Sequence, residues 1–217
     1  MADSPALKTA EPGLRQRQKA RRRENILTAA RLLFFRQGYN ATSMEAVAEQ
    51  AEVGVATVYN YFGTKGQLLA DILRPDFKVL HDQSMELLAR PPANPVTGIL
   101  SLMDIYRHLQ SNWDNRQVLL AVLGPGLSAE PVLDDLAAAS EGHVKRQIEK
   151  LLSLYQDQKL IRAAIDITDA AIIIFYIFNQ HFIEYITRKD ADFDQMKQEM
   201  DRQISFIMTA ILPFEQP

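Results

Sequence analysis

The chain has 217 residues, with 24 Lys and Arg against 27 Asp and Glu, a formal net charge of -3, and 47% apolar and 24% charged residues. This is ordinary globular composition, long enough to bury a sizeable core in one large or two small domains. Cysteine is absent, which excludes a disulfide framework and thiolate metal sites.

The N-terminal stretch MADSPALKTAEPG lacks the apolar core of a signal peptide. The longest apolar run, Ala170 to Phe178, falls short of the roughly 20 residues that span a membrane. A cytoplasmic protein without membrane association is expected. The charge is unevenly divided along the chain. Ten cationic residues face six anionic ones from Met1 to Gly66, whereas fourteen face twenty-one from Gln67 onward.

Residues 1–16 hold Pro5, Pro12 and Gly13 with few large apolar groups, the composition of a disordered tail. Six of the nine residues in RQRQKARRR, Arg15 to Arg23, are cationic. Such a run is either a solvated face or a phosphate-binding arm. Its place just ahead of the elements below favours the arm, with Arg21 and Arg22 as candidate contacts. From Arg22 a helical pattern sets in, with Ile26, Ala29, Ala30 and Leu33 along one side and Gly38 as its stop. Thr42 with Glu45 fits a capping box, so a second helix is expected from there to about Gln50. After the turn Glu52-Val53-Gly54, a third helix runs to Phe62-Gly63. Thr64 with Gln67 then caps a fourth.

The first three helices, of about 17, 8 and 8 residues, have the spacing of a helix-turn-helix unit, whose second short helix enters the DNA major groove. Helices this short are stable only by packing, here of Val47, Ala48, Val53, Val58 and Phe62 against Leu33 and its neighbours. Val55, Val58, Tyr59 and Phe62 recur at i, i+3, i+4 and i+7 on the third helix. Ala56, Thr57, Asn60 and Tyr61 make the other side, with no carboxylate among them, as a helix lying between phosphate backbones requires. Val55 and Tyr59 fall on the apolar stripe, so each is read equally as core or as contact. These elements define a DNA-binding domain over 17–66, with its motif at about 43–62.

Gly38-x-x-Ala41-Thr42-Ser43-x-x-x-Val47-Ala48-x-x-Ala51-x-Val53-x-x-x-Thr57-Val58-Tyr59-x-Tyr61-Phe62-x-x-Lys65-x-x-Leu68 resembles the tetracycline-repressor-like (TetR) family of bacterial transcription regulators. The resemblance covers roughly residues 22–70. Two positions depart from the family pattern: Glu52 stands where Gly is usual in the turn, and Gly54 where Ser usually caps the recognition helix. A left-handed Glu52 costs about 1 kcal/mol, while Gly loses only a few tenths as a cap. Alternatively, Gly54 itself supplies the turn. The resemblance implies phosphate contacts at Thr42 and Ser43, at the N-terminus of the second helix, and backbone contacts at Tyr59, Tyr61 and Lys65. It implies base contacts at Val55, Ala56, Thr57 and Asn60, with Asn60 suited to adenine and the methyls to thymine.

The remaining chain, 67–217, reads as helices near 65–89, 95–112, 115–123, 128–158, 168–188 and 192–212, with Pro95 and Pro131 at first helical positions. No segment alternates as a strand. The expected fold is all-α, with a helical effector-binding and dimerisation domain following the three-helix DNA-binding domain. Pro75 marks either a kink that passes movement to the DNA-binding unit or an ordinary helix boundary. The nearly all-apolar segment 170–178 must be buried on more than one side. The resemblance implies a homodimer through the last two helices, the second carrying a stripe of Phe193, Met196, Met200, Ile204, Ile207, Met208 and Ile211; a central helix in a monomer is the other reading. It also implies a small-molecule pocket. Candidates are Phe77, His81, Met103, Tyr106, Trp113 and Phe175, with Asn179, Tyr155 and Phe182 besides; each is read as core or as ligand contact. An apolar or aromatic effector is expected.

His81, His108, His143 and His181 fall in no metal-ligand spacing, and neither a phosphate-binding Gly loop nor a nucleophile elbow occurs. No catalysis, metal or cofactor is expected. The sequence reads as a dimeric repressor that binds a palindromic operator on double-stranded DNA and is released by a small molecule. The alternative is an architectural DNA-binding protein, effector-independent or controlled by a protein partner.

Overall fold

The computed structural model describes residues 13–111, 116–123, 130–188 and 190–213, and these are all helix and connecting turn. In chain order the helices are α1 (Leu14–Gln37), α2 (Met44–Gln50), α3 (Val55–Phe62), α4 (Lys65–Ala89), α5 (Pro95–Ser111), α6 (Arg116–Leu123), α7 (Pro131–Asp157), α8 (Ile167–Thr187) and α9 (Phe193–Ile211). The all-α reading stands, and the later helices end within three residues of their expected edges. Pro95 and Pro131 open α5 and α7, where the missing N–H has no helical partner to lose.

The first helix is longer than its apolar pattern implies. It begins at Leu14 rather than near Arg22, so residues 14–16 belong to it; the rest of the expected tail, 1–12, lies outside the described residues. Arg and Lys are good helix formers, and extending a helix that is already packed needs no new nucleus. One tertiary contact holds the extension, and a second anchors the helix just beyond it. The Tyr61 hydroxyl donates to the Lys19 carbonyl at 3.3 Å, and Arg23 pairs with Asp71 of α4 while lying over the Phe62 ring.

The cap of α2 is Ser43, whose hydroxyl accepts from the Ala46 N–H at 3.1 Å, and not Thr42. Thr42 is 1% exposed and turns inward. Its hydroxyl donates to the Gly38 carbonyl at 2.8 Å and accepts from the Gln37 amide at 3.2 Å, because a buried hydroxyl must find partners. Glu52 takes φ +54°, so it makes the turn in the left-handed conformation at a cost of about 1 kcal/mol. Gly54 is extended and caps α3 through its carbonyl, which receives the Thr57 N–H at 2.8 Å.

Helices α1 to α4 enclose Ile26, Ala30, Phe34, Val47, Ala48, Val58 and Phe62, all buried. Leu33 and Val53 pack against them half-buried. From this headpiece α4 runs on through Pro75 without interruption, so Pro75 is no helix boundary. It leads into a bundle in which α4 packs on α5 and α7, α7 on α8, and α8 on α9. Gly98 permits a close approach of α5 to α7, since a Cβ there would overlap the Tyr155 hydroxyl, which donates to the Pro92 carbonyl at 2.8 Å. Arg107 is buried and pairs with Asp104 and with Asp201, tying α5 to α9.

By length and composition α8 is apolar enough to cross a membrane, more than the run 170–178 alone suggested. Its packing is that of a core helix on one side: Ala171, Ile174, Phe175, Phe178 and Phe182 are buried. Ile172, Ile173 and Tyr176 remain exposed on the other.

Candidate nucleic-acid interface and ligand cavity

Helix α3 buries only Val58 and Phe62. Val55 is 38% and Tyr59 46% exposed, so the apolar stripe read from the sequence is narrower than its spacing. An eight-residue helix held at one edge has room for a single buried ridge. Ala56 and Asn60 are exposed and Thr57 half-exposed. The outer surface of α3 thus presents an aromatic hydroxyl, an amide and small apolar groups, with no carboxylate. Ser43, beside it at the start of α2, is exposed. Arg21 and Arg22 are exposed on α1.

Three expected contacts have other work within the headpiece. Thr42 is committed as described, its N–H also bonding the Tyr39 carbonyl at 3.3 Å. The Lys65 ammonium donates to the carbonyls of Tyr39 and Thr42, both at 3.0 Å, and lies 4.3 Å from the centre of the Tyr39 ring. Burial lowers its pKa, with the Glu130 charge acting in the opposite direction. Tyr61 is half-buried and holds α1 through Lys19. Thr42 and Lys65 therefore shape the headpiece from inside, where the sequence reading had them facing phosphate.

Glu130, which the sequence reading did not single out, joins the headpiece to the bundle. It is the residue before α7. Its carboxylate accepts from the Tyr39 hydroxyl at 2.6 Å, the Thr64 hydroxyl at 2.6 Å and the Gly66 N–H at 2.8 Å. Gly66 is needed for this approach, since a Cβ would overlap Glu130 Oε2. Burial alone would raise the Glu130 pKa. The bonds from Thr64, Tyr39 and Gly66 and the charge of Lys65 outweigh it and hold the carboxyl below its ordinary 4.5. Burial and the bond to Glu130 push the Tyr39 hydroxyl up. The only sequence signal for this role is an acidic residue ahead of a helix-opening proline, 64 positions from Gly66.

A cavity of about 310 Å³ opens between α4, α5 and α7. Phe77, Leu80, Leu136 and Ala139 form apolar walls, and Lys78, His81, Tyr106, Ser140 and His143 supply the polar groups. Phe77, His81 and Tyr106 are thus brought together as expected. Met103, Tyr155, Phe175 and Phe182 are buried core away from this cavity, the half-buried Asn179 does not line it, and Trp113 lies outside the described residues. His143 was missed, although Leu136, Ala139, Ser140 and His143 follow helical spacing on one face of α7. His81 Nδ1 stands 3.4 Å from His143 Nε2. Burial lowers the His143 pKa first, followed by the charges of His81, Arg146 and Lys150. The Tyr106 hydroxyl is buried without a hydrogen-bond partner. Burial pushes it up to about 12, while nearby Ser84 acts in the other direction; the Ser84 hydroxyl itself is donated to the His81 carbonyl at 2.8 Å.

The family model of bacterial regulatory proteins of the tetR family matches residues 26–72. The chain is 36% identical over 91 residues to the HTH-type transcriptional repressor KstR of Rhodococcus jostii, covering 42% of this chain and 43% of that one. It is 31% identical over 144 residues to KstR of Mycobacterium tuberculosis, covering 66% and 60%. The chain therefore spans about half the length of these curated relatives. The fold is similar to that of Thermus thermophilus FadR, a repressor solved with lauroyl-CoA, with a TM-score of 0.67 at 20% identity over 90% of this chain and 97% of that one.

Proposed function

Because this chain belongs to the tetR family of bacterial regulatory proteins, we propose that it is a cytoplasmic transcription repressor. It binds a palindromic operator as a dimer and leaves it when a small molecule occupies the cavity. The observation that carries this reading is the outer surface of α3. Val55, Ala56, Tyr59 and Asn60 are all exposed there without an acidic neighbour on the helix. These four, with Thr57 and Ser43, are the groups assigned to DNA, and Arg21 and Arg22 on α1 add charge toward phosphate.

The partner for dimerisation is a second copy, seated on the outer face of α8 and α9. Ile172, Ile173 and Tyr176 are exposed there and Phe206 is 73% exposed; Ile177 lines a shallow groove with Phe206 and Ile207. Apolar groups gathered on one face favour burial against a like face. Two headpieces then read two half-sites.

Control by a ligand requires that it bind the DNA-incompetent arrangement more tightly than the competent one. Helix α7 supports such coupling, since Glu130 at its start bonds the headpiece and residues 136–143 line the cavity. Nuclease footprinting on DNA flanking the protein's own gene, at near-physiological salt, tests the reading. A protected pseudo-palindrome is expected. Protection without a preferred site, fading uniformly as salt rises, would replace it with architectural binding through the basic arm.

A further inference from the structure

The cavity between α4, α5 and α7 is asymmetric in its chemistry. Every polar side chain that lines it carries a hydrogen-bond donor: Lys78, His81, Tyr106, Ser140 and His143. Among the described residues no carboxylate lines it. Lys78 sits at the rim and is paired with Asp82 at 2.6 Å outside, so the inner polar end consists of Tyr106 and the two imidazoles. Tyr106 is 5% exposed and its hydroxyl is unpartnered. A buried hydroxyl without a partner is unfavourable, and an acceptor delivered by a ligand removes that cost.

Basic side chains bear on this end. Arg146 and Lys150 on α7 both act on His143, and His81 faces it from α4 at a ring-centre distance of 5.0 Å. An anion placed among these groups is stabilised by the donors and by the neighbouring basic side chains, whereas a cation finds hydroxyl and imidazole acceptors but no carboxylate among the described residues to balance its charge. The opposite walls, Phe77, Leu80 and Leu136, are hydrocarbon. The volume of about 310 Å³ stands at the lower end of ordinary ligand pockets, roughly 300–1,000 Å³. One ring or a short chain fits this space; the nucleotide part of an acyl-CoA does not.

We propose that the effector is a small apolar monocarboxylate, an aryl or short alkyl carboxylic acid, whose carboxylate accepts from the Tyr106 hydroxyl and from the His81 and His143 imidazoles while its hydrocarbon lies against Phe77 and Leu136. The proposal rests on the reading of this chain as an effector-controlled regulator and names the ligand class of that site.

Direct calorimetric titration of the full-length protein with benzoate, phenylacetate and hexanoate tests it, with benzamide and benzylamine as neutral and cationic counterparts. At least one carboxylate is expected to bind ten or more times tighter than benzamide, and benzylamine is expected not to bind. Tyr106→Phe keeps the shape and is expected to weaken carboxylate binding about tenfold, with little effect on benzamide, since a bond to a charged acceptor is the stronger one. His143→Gln is expected to weaken it as well. Equal affinity for the amide or amine, carboxylate binding indifferent to Tyr106→Phe, or no binding by the three carboxylates at millimolar concentration would each overturn the proposal. None of these results depends on DNA. A protected operator in footprinting would leave the regulator reading standing with a different ligand, while loss of any preferred site would remove the regulator and leave the binding data intact.

Discussion

The Tyr39 hydroxyl donates to Glu130 at 2.6 Å across 91 residues of chain. Tyr39 lies in the turn between α1 and α2, and Glu130 leads into α7. This bond and its neighbours from Thr64 and Gly66 converge on one carboxylate, which binds the DNA-reading unit to the helix that walls the cavity.

Replacing Glu130 with Gln keeps the size and removes the charge. Stability is expected to fall by about 1–2 kcal/mol, read as a shift of the thermal midpoint. The pH dependence has a defined sign. The folded carboxyl sits below its ordinary 4.5, so its stabilisation is complete above about that pH and is lost as pH falls through the folded value. The difference in midpoint between wild type and Glu130→Gln is therefore largest near neutrality and closes in acid. A difference that persists unchanged at pH 3 would contradict this.

Lys65 and the arginines of α1 are separated by salt dependence. Each lysine or arginine that neutralises a phosphate contributes about one to the slope of log K against log salt. Arg21→Ala and Arg22→Ala are expected to lower that slope by about one each. Lys65→Ala leaves two carbonyls without their donor and is expected to cost about 2 kcal/mol of stability. The slope should stay as it was at temperatures where the variant is folded.

On α3, Asn60→Ala is expected to change preference at one base position in a binding-site selection, with a loss of about 1–3 kcal/mol on the original site. Tyr59→Ala should weaken binding to all sequences alike. If the selected consensus is the same for Asn60→Ala and wild type, Asn60 does not read a base.

Phe206→Glu places a charge at the centre of the exposed face of α9. Sedimentation is expected to show a dimer for the wild type at micromolar concentration and a monomer for the variant. The variant should also lose cooperative binding to the two half-sites while keeping its helical content.

Tyr106→Phe removes a buried hydroxyl that has no hydrogen-bond partner within the protein. The free protein is expected to be more stable by about 1 kcal/mol, measured by denaturant titration. Stability and ligand binding thus move in opposite directions, which a purely structural tyrosine would not produce.

Much of this architecture is legible in the sequence because local chemistry dictates it. Gly38 and Gly63 stop α1 and α3 with positive φ, Thr64 caps α4 by accepting from Gln67 N–H at 3.0 Å, and prolines open α5 and α7. Misreadings arise where a residue's partner is not the one its local pattern suggests, and most of those partners are distant in sequence. Thr42 resembles a cap until Gly38 and Gln37 take its hydroxyl. Lys65 is a surface cation by composition and a half-buried brace by contact. The start of α1 carries no apolar periodicity, and its tertiary support comes from Tyr61. Glu130 and His143 acquire their neighbours only when α7 is laid against α4.

The placement of Glu130 just ahead of α7 and of His143 within it has an engineering consequence. They are 13 residues apart, about 20 Å along the axis, and Tyr39, Thr64 and Gly66, which bond the Glu130 carboxylate, do not line the cavity. On the proposed reading, positions 136, 139, 140 and 143 can be randomised to accept another molecule while the joint to the headpiece at 130 is left intact. A library confined to those four codons is a compact route to a biosensor with a new input and an unchanged output.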